Sequence, residues 1–533
     1  MILHTLGELT DQNFTKMSEQ STVLERLRLP TRLGGCGITS VAKIGPIMYM
    51  ASLLKTIPNM ADQTRGKHKR QGFCPHGAEF LLGHPGPCTN MTDFIDGGSD
   101  KGKEFKTAHT KCLLVVDSPD TGIWSEPYGT WAEMIGPNKP QKRLTSKFND
   151  TLKEQLDNRF KSIKLQSHSA GLLQQKRAYM SAQPCTNGRM PGCKPSKENG
   201  AIPNTEFVTM WAIYLGLPLP CLRWINTQNP LKVKCWDKKT KKHVLKESDV
   251  FGNVLSSTAT GSWRIGHDVL KHQLFQFGRS AGAEIYVEPL NLFSRLISNS
   301  KANATATSGR QRWFNKHGQY RQGCVPDLLL QDGCNETIYD VKTMSNCKTH
   351  YAASNPKMNS KLGAALTKEK SVPGQCLAKA REVDKNFNDT PKGVDGPVTK
   401  RMKEYPGGTK GLVFGAFGES SPNVGKFLKL MASKLADKKW RTSGFKNKTE
   451  AQGVLMHWMQ TTMGVEALRV SAQLVLRALA IASDKYSGTR NPTAMYAYHK
   501  WSELRDARAL SNQYKSGKGT QTFSHHNIHL RND

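Results

Sequence analysis

The chain has 533 residues, with 76 Lys and Arg against 43 Asp and Glu, and it therefore carries a formal net charge of +33. An excess this large calls for a polyanion, because self-repulsion otherwise works against the compact state; nucleic acid is the first candidate and an anionic membrane surface the second. The N-terminus has no basic leader followed by an apolar core, and no run reaches the ~18 apolar residues of a spanning helix, so we expect an intracellular protein without a signal peptide.

The N-terminal part of the chain gives few structural signals. Residues 1–60 are expected to be mostly helical, whereas 61–205 form an irregular basic region in which 146–163 predict a helix. From 206 to 261 a short helix stopped at Gly216 leads into a linker. Twelve cysteines in so long a chain are too few for a disulfide framework, which favours a reducing compartment.

Residues 262–438 carry the clearest order of elements. Apolar residues recur at helical spacing over 266–282 and alternate with polar residues as in a strand over 283–289. A hairpin follows, and the later predicted elements are a helix over 375–387, a strand over 411–417 and a helix over 421–438. This order predicts an α/β fold with a mixed sheet and helices on both sides. Flanking it, 439–510 are expected to be helical, beginning with a capping box at 449–452, and 511–533 to be a disordered tail.

Two acids and a lysine surround one short turn in the stretch PDLLLQDGCNETIYDVKT. The Asp-Gly pair within 332–335 predicts a hairpin turn. The period of two along the second strand places Asp340 and Lys342 on one face. Counting back from the turn sets Asp327 across from the region of Ile338 to Asp340, so three charged groups are predicted to converge on one patch of sheet.

Two carboxylates a few ångströms apart repel each other unless a cation lies between them. Mg²⁺ binds one or two carboxylates together with waters and phosphate oxygens. We therefore expect Asp327, Asp340 and the main-chain carbonyl of Val341 to hold Mg²⁺ or Mn²⁺, which activates water at a phosphodiester. Lys342 would orient or deprotonate that water, or stabilise developing charge. The alternative is a surface hairpin with an ordinary ion pair.

Further charged residues are candidates for the same site. Asp268 on the preceding helix and Glu288 at the end of the first strand could each supply another catalytic acid, or be ordinary surface charges. Basic runs are expected to contact phosphates, and their alternative is a solvated face. The run DKKTKKH supplies Lys238, Lys239, Lys241 and Lys242.

Several stretches resemble known families. Pro-Asp, twelve residues, then Asp-x-Lys resembles the PD-(D/E)XK nuclease signature. RLRLPTRLGGCGI, LGLPLPCL and the stretch beginning REVDKNF are similar to the C-terminal region of non-LTR retrotransposon reverse-transcriptase proteins of protists and algae. The resemblance implies a reverse-transcriptase thumb-like remnant over 1–60, a degenerate zinc-knuckle-like linker over 206–261 and a restriction-like endonuclease domain over 262–438.

That resemblance implies nicking of target DNA, with Asp327, Asp340 and Lys342 in the nuclease motif. It also implies a nuclear location, DNA as the first partner and RNA as the second, and no membrane. The chain has no Tyr-x-Asp-Asp, so the polymerase palm is missing. Its linker reads DVFGNVLSS, without the family's zinc-binding His and final Cys, and Cys221 and Cys235 are too few for a closed zinc site. Zinc is therefore not expected there, although the Cys74–Cys88 loop keeps four possible ligands. The alternative functions are a catalytically inactive nucleic-acid-binding remnant and a ribonucleoprotein scaffold.

Overall fold

The computed structural model describes residues 22–38, 44–45, 48–49, 52, 103, 107, 110, 140–163, 170–182, 186–192, 202–222, 231–237, 240, 242–257, 262–289, 292–297, 304–305, 311–314, 320–321, 324–346, 351 and 363–487. Lys238, Lys239 and Lys241, the Cys74–Cys88 loop and the tail over 511–533 lie outside the described residues. The described chain divides into two compact units, residues 22–162 and residues 163–487.

The described part of the smaller unit includes the helices α1 (Thr22–Arg28) and α2 (Pro140–Ser162). Apolar side chains recur every four residues along α2, which gives this helix one buried stripe. The stripe consists of Phe148, Leu152, Leu156 and Phe160. Glu25 of α1 pairs with Arg159 of α2 at 3.0 Å. The helix predicted over 146–163 is confirmed, and it begins earlier, at Pro140.

The larger unit combines helices with short sheets. Its helices are α3 (Ala170–Met180), α4 (Asn204–Leu215), α5 (Ser262–Ala281), α6 (Gly363–Phe387), α7 (Pro397–Lys403), α8 (Pro422–Lys439) and α9 (Lys448–Ser487). Its strands are β1 (Lys232–Asp237), β2 (Lys242–Glu247), β3 (Glu284–Val287), β4 (Ala304–Thr305), β5 (Gln311–Phe314), β6 (Tyr320–Arg321), β7 (Leu328–Asp332), β8 (Asn335–Thr343) and β9 (Thr409–Phe414). β1 pairs with β2, and β4, β5 and β6 form a second small sheet.

A four-stranded mixed sheet with the order β3-β7-β8-β9 forms the centre of this unit. β7 is antiparallel to β3 and β8, whereas β9 is parallel to β8. β7 and β8 form the predicted hairpin, in which Asp332 faces Asn335 and Gly333 takes the left-handed φ of +60° that suits a two-residue turn. The predicted α/β fold with a mixed sheet is therefore confirmed.

Helices cover both faces of the sheet, and alternate residues of β8 point to opposite faces. Tyr339 and Val341 are buried with Leu274 and Phe427 in the core shared by α5, α8 and α9. Ile338 points the other way and is buried in a second core with Val383 of α6 and neighbours from α7. The period of two read from the sequence is thus confirmed, and it sets Asp340 and Lys342 on the face covered by α6.

Two helix starts differ from the prediction. α6 begins at Gly363 and runs through Pro373, because its early turns pack on β9, where Val372 lies against Gly411. The capping box expected at 449–452 is wrong. Asn447 is the cap instead: its Oδ1 accepts the N–H of Glu450 at 2.9 Å, and the Glu450 carboxylate accepts the N–H of Lys446 at 2.8 Å.

Two buried carboxylates satisfy main-chain groups rather than a ligand. Asp384, at the end of α6, accepts the N–H of Thr399 at 2.8 Å and so caps α7. Glu419 lies inside the turn between β9 and α8, where its carboxylate accepts the N–H of Phe417 at 3.1 Å and the hydroxyl of Tyr351. The turn is packed closely, because the Cβ position of Gly415 is already filled by the Glu419 carboxylate.

Candidate functional site

The hairpin brings Asp327 and Asp340 face to face. The register pairs Leu328 with Tyr339 and Leu329 with Ile338. One further step in the same register sets Asp327 opposite Asp340, where Cβ atoms on neighbouring strands lie about 4.5–5.5 Å apart. The side chains of both acids are largely buried, with 13% and 14% of their surface exposed. We call these two residues the carboxylate pair.

The orientation of Asp327 is fixed by two donors on one oxygen. Its Oδ2 accepts the N–H of Val341 at 2.6 Å and lies 3.1 Å from Nε2 of His267. Both contacts use the same oxygen, and neither involves Oδ1. The N–H and C=O of one strand residue point towards the same neighbouring strand. The Val341 carbonyl therefore also points to the β7 side of β8, next to the residues that precede β7. The side chain of Val341 is fully buried in the core.

The carboxylate pair shows the electrostatics of two acids held too close together. Burial raises the pKa of Asp340, the nearby Asp327 raises it further, and Lys342 opposes both. Burial also acts to raise the pKa of Asp327, but the hydrogen bond and charge of His267 outweigh it and lower that pKa. The two members are therefore pushed in opposite directions, as expected for neighbouring groups of like charge.

Lys342 is the cation attached to Asp340. Its Nζ lies 2.5 Å from Asp340 Oδ2. That oxygen is enclosed and has no well-directed hydrogen bond within the described residues, so the contact is a charge pair rather than an aligned hydrogen bond. Burial acts to lower the pKa of Lys342, but Asp340 and then Asp327 raise it overall. About a third of the lysine side chain is exposed, which leaves its ammonium accessible.

A second group of charges, which we call the helix cluster, comprises His267, Asp268, Lys271 and Glu288. Lys271 is almost fully buried and lies 2.9 Å from Asp268 Oδ1 and 2.5 Å from Glu288 Oε1. Nδ1 of His267 lies 3.2 Å from the same Asp268 oxygen. The predicted acids Asp268 and Glu288 are thus brought next to the carboxylate pair, where Asp268 contacts Lys271 and His267 and Glu288 contacts Lys271.

His267 connects the two groups. Its ring nitrogens face Asp268 on one side and Asp327 on the other. Burial acts to lower the pKa of His267, but the hydrogen bonds to these two carboxylates outweigh burial and raise the pKa to about 9. At neutral pH the ring is therefore an imidazolium that donates to both acids. His267 and Lys271 hold the pKa of Asp268 below its usual range, against the effect of burial.

Glu288 has an unusual backbone conformation. Its φ is +42°, a left-handed value that non-glycine residues seldom adopt. Its N–H donates to the main-chain carbonyl of Asp327 at 2.9 Å, so the residue ties the end of β3 to the start of β7. Backbone strain of this kind costs about 1–3 kcal/mol and is concentrated at functional sites. The strained turn directs Glu288 toward Lys271.

Sequence reasoning missed His267 and Lys271 as members of the site. A signal was available, because His267, Asp268 and Lys271 stand within the first part of a helix whose other face is apolar, and residues three or four apart share a helix face. What the sequence could not show was that this face of α5 lies against the start of β7.

The geometry is suited to a divalent cation at the carboxylate pair. Asp340 Oδ2 is a buried oxygen without an aligned donor, and Asp327 keeps Oδ1 away from its two hydrogen bonds. Two carboxylates and a carbonyl are a donor set that Mg²⁺ accepts, with waters and phosphate oxygens completing the coordination. No group of three or more His, Cys, Asp and Glu side chains able to hold a metal ion occurs in the part of the chain that the structure describes.

The β1–β2 hairpin is a basic ribbon. Lys234 and Lys246 are exposed on it, Leu245 is 66% exposed, and Lys242, the described member of the predicted phosphate-binding run, is also exposed. Lys234 pairs with Leu245 across the ribbon. A two-stranded ribbon of this kind has the dimensions of the DNA major groove.

One carboxylate folds part of the segment that resembles a degenerate zinc knuckle. Asp249 accepts the N–H groups of Phe251 at 2.8 Å and Asn253 at 3.2 Å, which folds DVFGN into a tight turn. Burial raises the pKa of Cys221 to about 11, and it also raises the pKa of Cys235. Both side chains are therefore neutral thiols at physiological pH.

No family model matches the chain, and no curated protein is similar to it at a significant level. Among the described residues, no helix has both the length and the apolar character needed to cross a bilayer.

Proposed function

We propose that this chain is a metal-dependent DNA endonuclease of the PD-(D/E)XK type, in which Asp327 and Asp340 hold Mg²⁺ or Mn²⁺ and Lys342 acts on the attacking water. One observation carries the proposal: two buried carboxylates face each other across a hairpin with opposed pKa shifts, beside a lysine two residues along the same strand. The order of helix, strand, hairpin and parallel strand supports the PD-(D/E)XK assignment.

Charge balance favours a divalent ion in this place. The helix cluster and the carboxylate pair together contain four carboxylates, and His267, Lys271 and Lys342 are cations in contact with them. When all seven of these groups are ionised, they carry one negative charge in excess. A divalent ion would reverse that sign, so a phosphodiester could then approach without repulsion.

The protein groups have separate tasks in this scheme. Val341 N–H and His267 would hold Asp327 through Oδ2, which would leave Oδ1 as the oxygen available to the ion. When bound, the ion supplies the chemistry of a Lewis acid that activates water and neutralises charge on phosphate. The ammonium of Lys342, whose side chain is about a third exposed, would orient the attacking water and stabilise the added negative charge. Asp268 and Glu288 keep Lys271 charged and in place, which makes them positioning residues rather than ligands.

The partner that the charge favours is nucleic acid. A net charge of +33 on 533 residues provides a sequence-independent attraction to phosphate. The proposed contact surface consists of the exposed lysines of the β1–β2 ribbon, Lys234, Lys242 and Lys246. The other lysines of the DKKTKKH run, Lys238, Lys239 and Lys241, belong to the same proposed surface. DNA is the first candidate and RNA the second. The resemblance to retrotransposon proteins suggests target-site nicking in the nucleus by a chain that lacks its own polymerase palm.

The test is nicking of supercoiled plasmid by the full-length chain in Mg²⁺ or Mn²⁺. We expect the wild type to nick, and Asp327→Asn, Asp340→Asn and Lys342→Ala each to lose nicking by at least about a hundredfold. DNA binding, measured in Ca²⁺, should be unchanged for Lys342→Ala and equal or slightly tighter for the two acid variants, because they remove charges that repel phosphate. The matched control is Asp332→Asn, which removes a carboxylate of the same hairpin that pairs with Lys434 instead.

A nucleic-acid-binding remnant without catalysis is the second candidate, because Asp340 and Lys342 already neutralise each other and the basic ribbon needs no metal. It predicts tight, salt-sensitive DNA binding with no nicking in either metal ion. Equal nicking by wild type and Asp340→Asn would instead show that the cleavage site is elsewhere.

A further inference from the structure

A strongly basic surface lies where α8 ends and α9 begins. Residues 426–448 contain eight Lys and Arg and a single acid, Asp437, whereas the whole chain has 76 basic residues against 43 acids. That one acid pairs with Lys448. The exposed cations around the turn between the two helices, which we call the basic corner, are Lys438, Lys439, Arg441, Lys446 and Lys448.

Three cations of the basic corner are not neutralised by an acid. Lys439, Arg441 and Lys446 form no ion pair with any residue that the structure describes. Glu450, the next acid along the chain, accepts the main-chain N–H of Lys446 at 2.8 Å and so serves the start of α9. The helix dipole accounts for Lys438 and Lys439, because cations are favourable in the last turn of a helix. It does not account for Arg441 and Lys446, which lie in the turn.

The turn between α8 and α9 holds its cations in a defined arrangement. The N–H of Ser443 donates to the carbonyl of Lys439 at 2.9 Å, and the N–H of Phe445 donates to the carbonyl of Trp440 at 3.2 Å. The guanidinium of Arg441 lies over the ring of Trp440, 5.0 Å from its centroid. Groups that are already ordered lose less conformational freedom when they bind a ligand, so this arrangement favours binding.

The basic corner lies at the turn end of the β7–β8 hairpin, whereas the carboxylate pair lies at the other end. Lys434 of α8 pairs with Asp332, the last residue of β7, at 2.6 Å. The ammonium of Lys438 occupies the place that a Cβ on Gly282 would take, just before β3. Asp332 is five residues beyond Asp327, which along an extended strand is about 17 Å. Duplex DNA rises about 3.4 Å per base pair, so this distance corresponds to about five base pairs.

The chemistry of the basic corner fits the backbone of duplex DNA. Lys and Arg side chains contact phosphate oxygens, and such contacts position a duplex without reading its sequence. A duplex carries one negative charge for about every 1.7 Å of its axis, so closely spaced cations can each meet a phosphate. A single strand would instead use an open aromatic face on which its bases stack. Trp440 is half-buried, and Arg441 covers one face of its ring.

We propose that the basic corner is a second DNA-contact surface, which binds phosphates of a duplex at least about five base pairs from the carboxylate pair. The binding rests on the charge and geometry of the corner alone, whereas its distance from a scissile phosphate rests on the proposed nuclease function. Because the contacts are made to the backbone, they strengthen binding without adding a sequence preference.

The first test measures duplex binding by the full-length chain in Ca²⁺ over a range of salt concentrations. In the triple variant Lys439→Gln, Arg441→Gln, Lys446→Gln, the log–log slope of the association constant against salt should become shallower by about 2–3, which is about 0.9 for each lost phosphate contact. The swap variant Lys439→Arg, Arg441→Lys, Lys446→Arg keeps the three charges and should keep the wild-type slope. A swap variant with the shallower slope would show that the charges are not the cause and would overturn the proposal.

A matched control removes three positive charges from exposed positions elsewhere. Lys370→Gln, Lys385→Gln and Lys392→Gln alter α6 and the loop after it, and together they give the same net charge as the triple variant. This control should keep the wild-type slope. An equal loss of slope in both variants would show that net charge alone controls binding, and the basic corner would not be a site. A triple variant that loses binding to single-stranded RNA but keeps its binding to duplex DNA would overturn the assignment to a duplex.

The second test separates the basic corner from the cleavage site by nicking kinetics in Mg²⁺. The triple variant should raise the KM for plasmid DNA and leave kcat unchanged, because it removes binding that the ground state and the transition state share. A normal KM in the triple variant would overturn the basic corner and leave the nuclease standing. A wild type that never nicks, together with a triple variant that has lost duplex binding, would overturn the nuclease and keep the basic corner.

Discussion

Replacing Asp340 by Asn should stabilise the metal-free protein and destabilise its metal-bound form relative to wild type. The change keeps the size of the side chain and removes the charge that opposes Asp327 across the hairpin. It also removes the partner of Lys342, whose Nζ lies 2.5 Å away. Two effects of opposite sign therefore compete, and their magnitudes decide the outcome.

The repulsion is the larger effect. Two carboxylates about 5 Å apart at an effective dielectric constant of about 20 repel by about 3 kcal/mol. The ion pair that is lost has the smaller effect, because Asp327 shifts the pKa of Asp340 more strongly than the charge of Lys342 does. Asp340→Asn should thus raise the free energy of unfolding by up to about 2 kcal/mol in EDTA. A divalent ion at a hundred times its dissociation constant stabilises wild type by about 2.7 kcal/mol, so wild type should then be the more stable protein.

The assay is urea unfolding of the full-length chain in EDTA and in Ca²⁺, with Asp332→Asn as the matched control. The order of stability of wild type and Asp340→Asn should reverse between the two conditions, whereas Asp332→Asn should show no metal dependence of its own. If Asp340→Asn is less stable than wild type in EDTA, or if Ca²⁺ stabilises both proteins equally, the two acids do not form a cation site.

Three further expectations concern chemistry, charge and pH. Lys342→Ala should retain the Ca²⁺-induced stabilisation while nicking falls by about 10²–10⁴-fold, so loss of both properties together would assign the lysine a structural role only. The logarithm of the DNA association constant should fall linearly with the logarithm of the salt concentration, and each neutralised phosphate should add about −0.9 to the slope. A flat response would contradict binding through the basic surface. Burial raises the pKa of Glu419 from 4.5 to about 7. Because Glu419 ionises at a lower pH in the unfolded chain than in the folded protein, the free energy of unfolding of wild type should fall by about 3 kcal/mol between pH 4.5 and 7, and that of Glu419→Gln should not. Parallel pH profiles for the two proteins would show that Glu419 is not buried as a neutral acid.

The sequence by itself determined the local geometry of the hairpin. Side chains alternate along any strand, so the spacing of Ile338, Asp340 and Lys342 was sufficient to place them on one face. Asp-Gly specified the turn, and the number of residues on either side of it set Asp327 against Asp340. Each of these relations depends on residues close together in the chain, where the backbone leaves few alternatives.

Only the tertiary structure decided what surrounds the carboxylate pair. His267 reaches Asp327 across a separation of sixty residues, and Lys271 becomes buried between Asp268 and Glu288 because α5 packs over that edge of the sheet. Lys434 of α8 meets Asp332 across a separation of 102 residues, which brings the basic corner to the turn end of the hairpin. No periodicity in the sequence reports such contacts, because they depend on how amphipathic elements dock against one another and not on the conformation of any one of them.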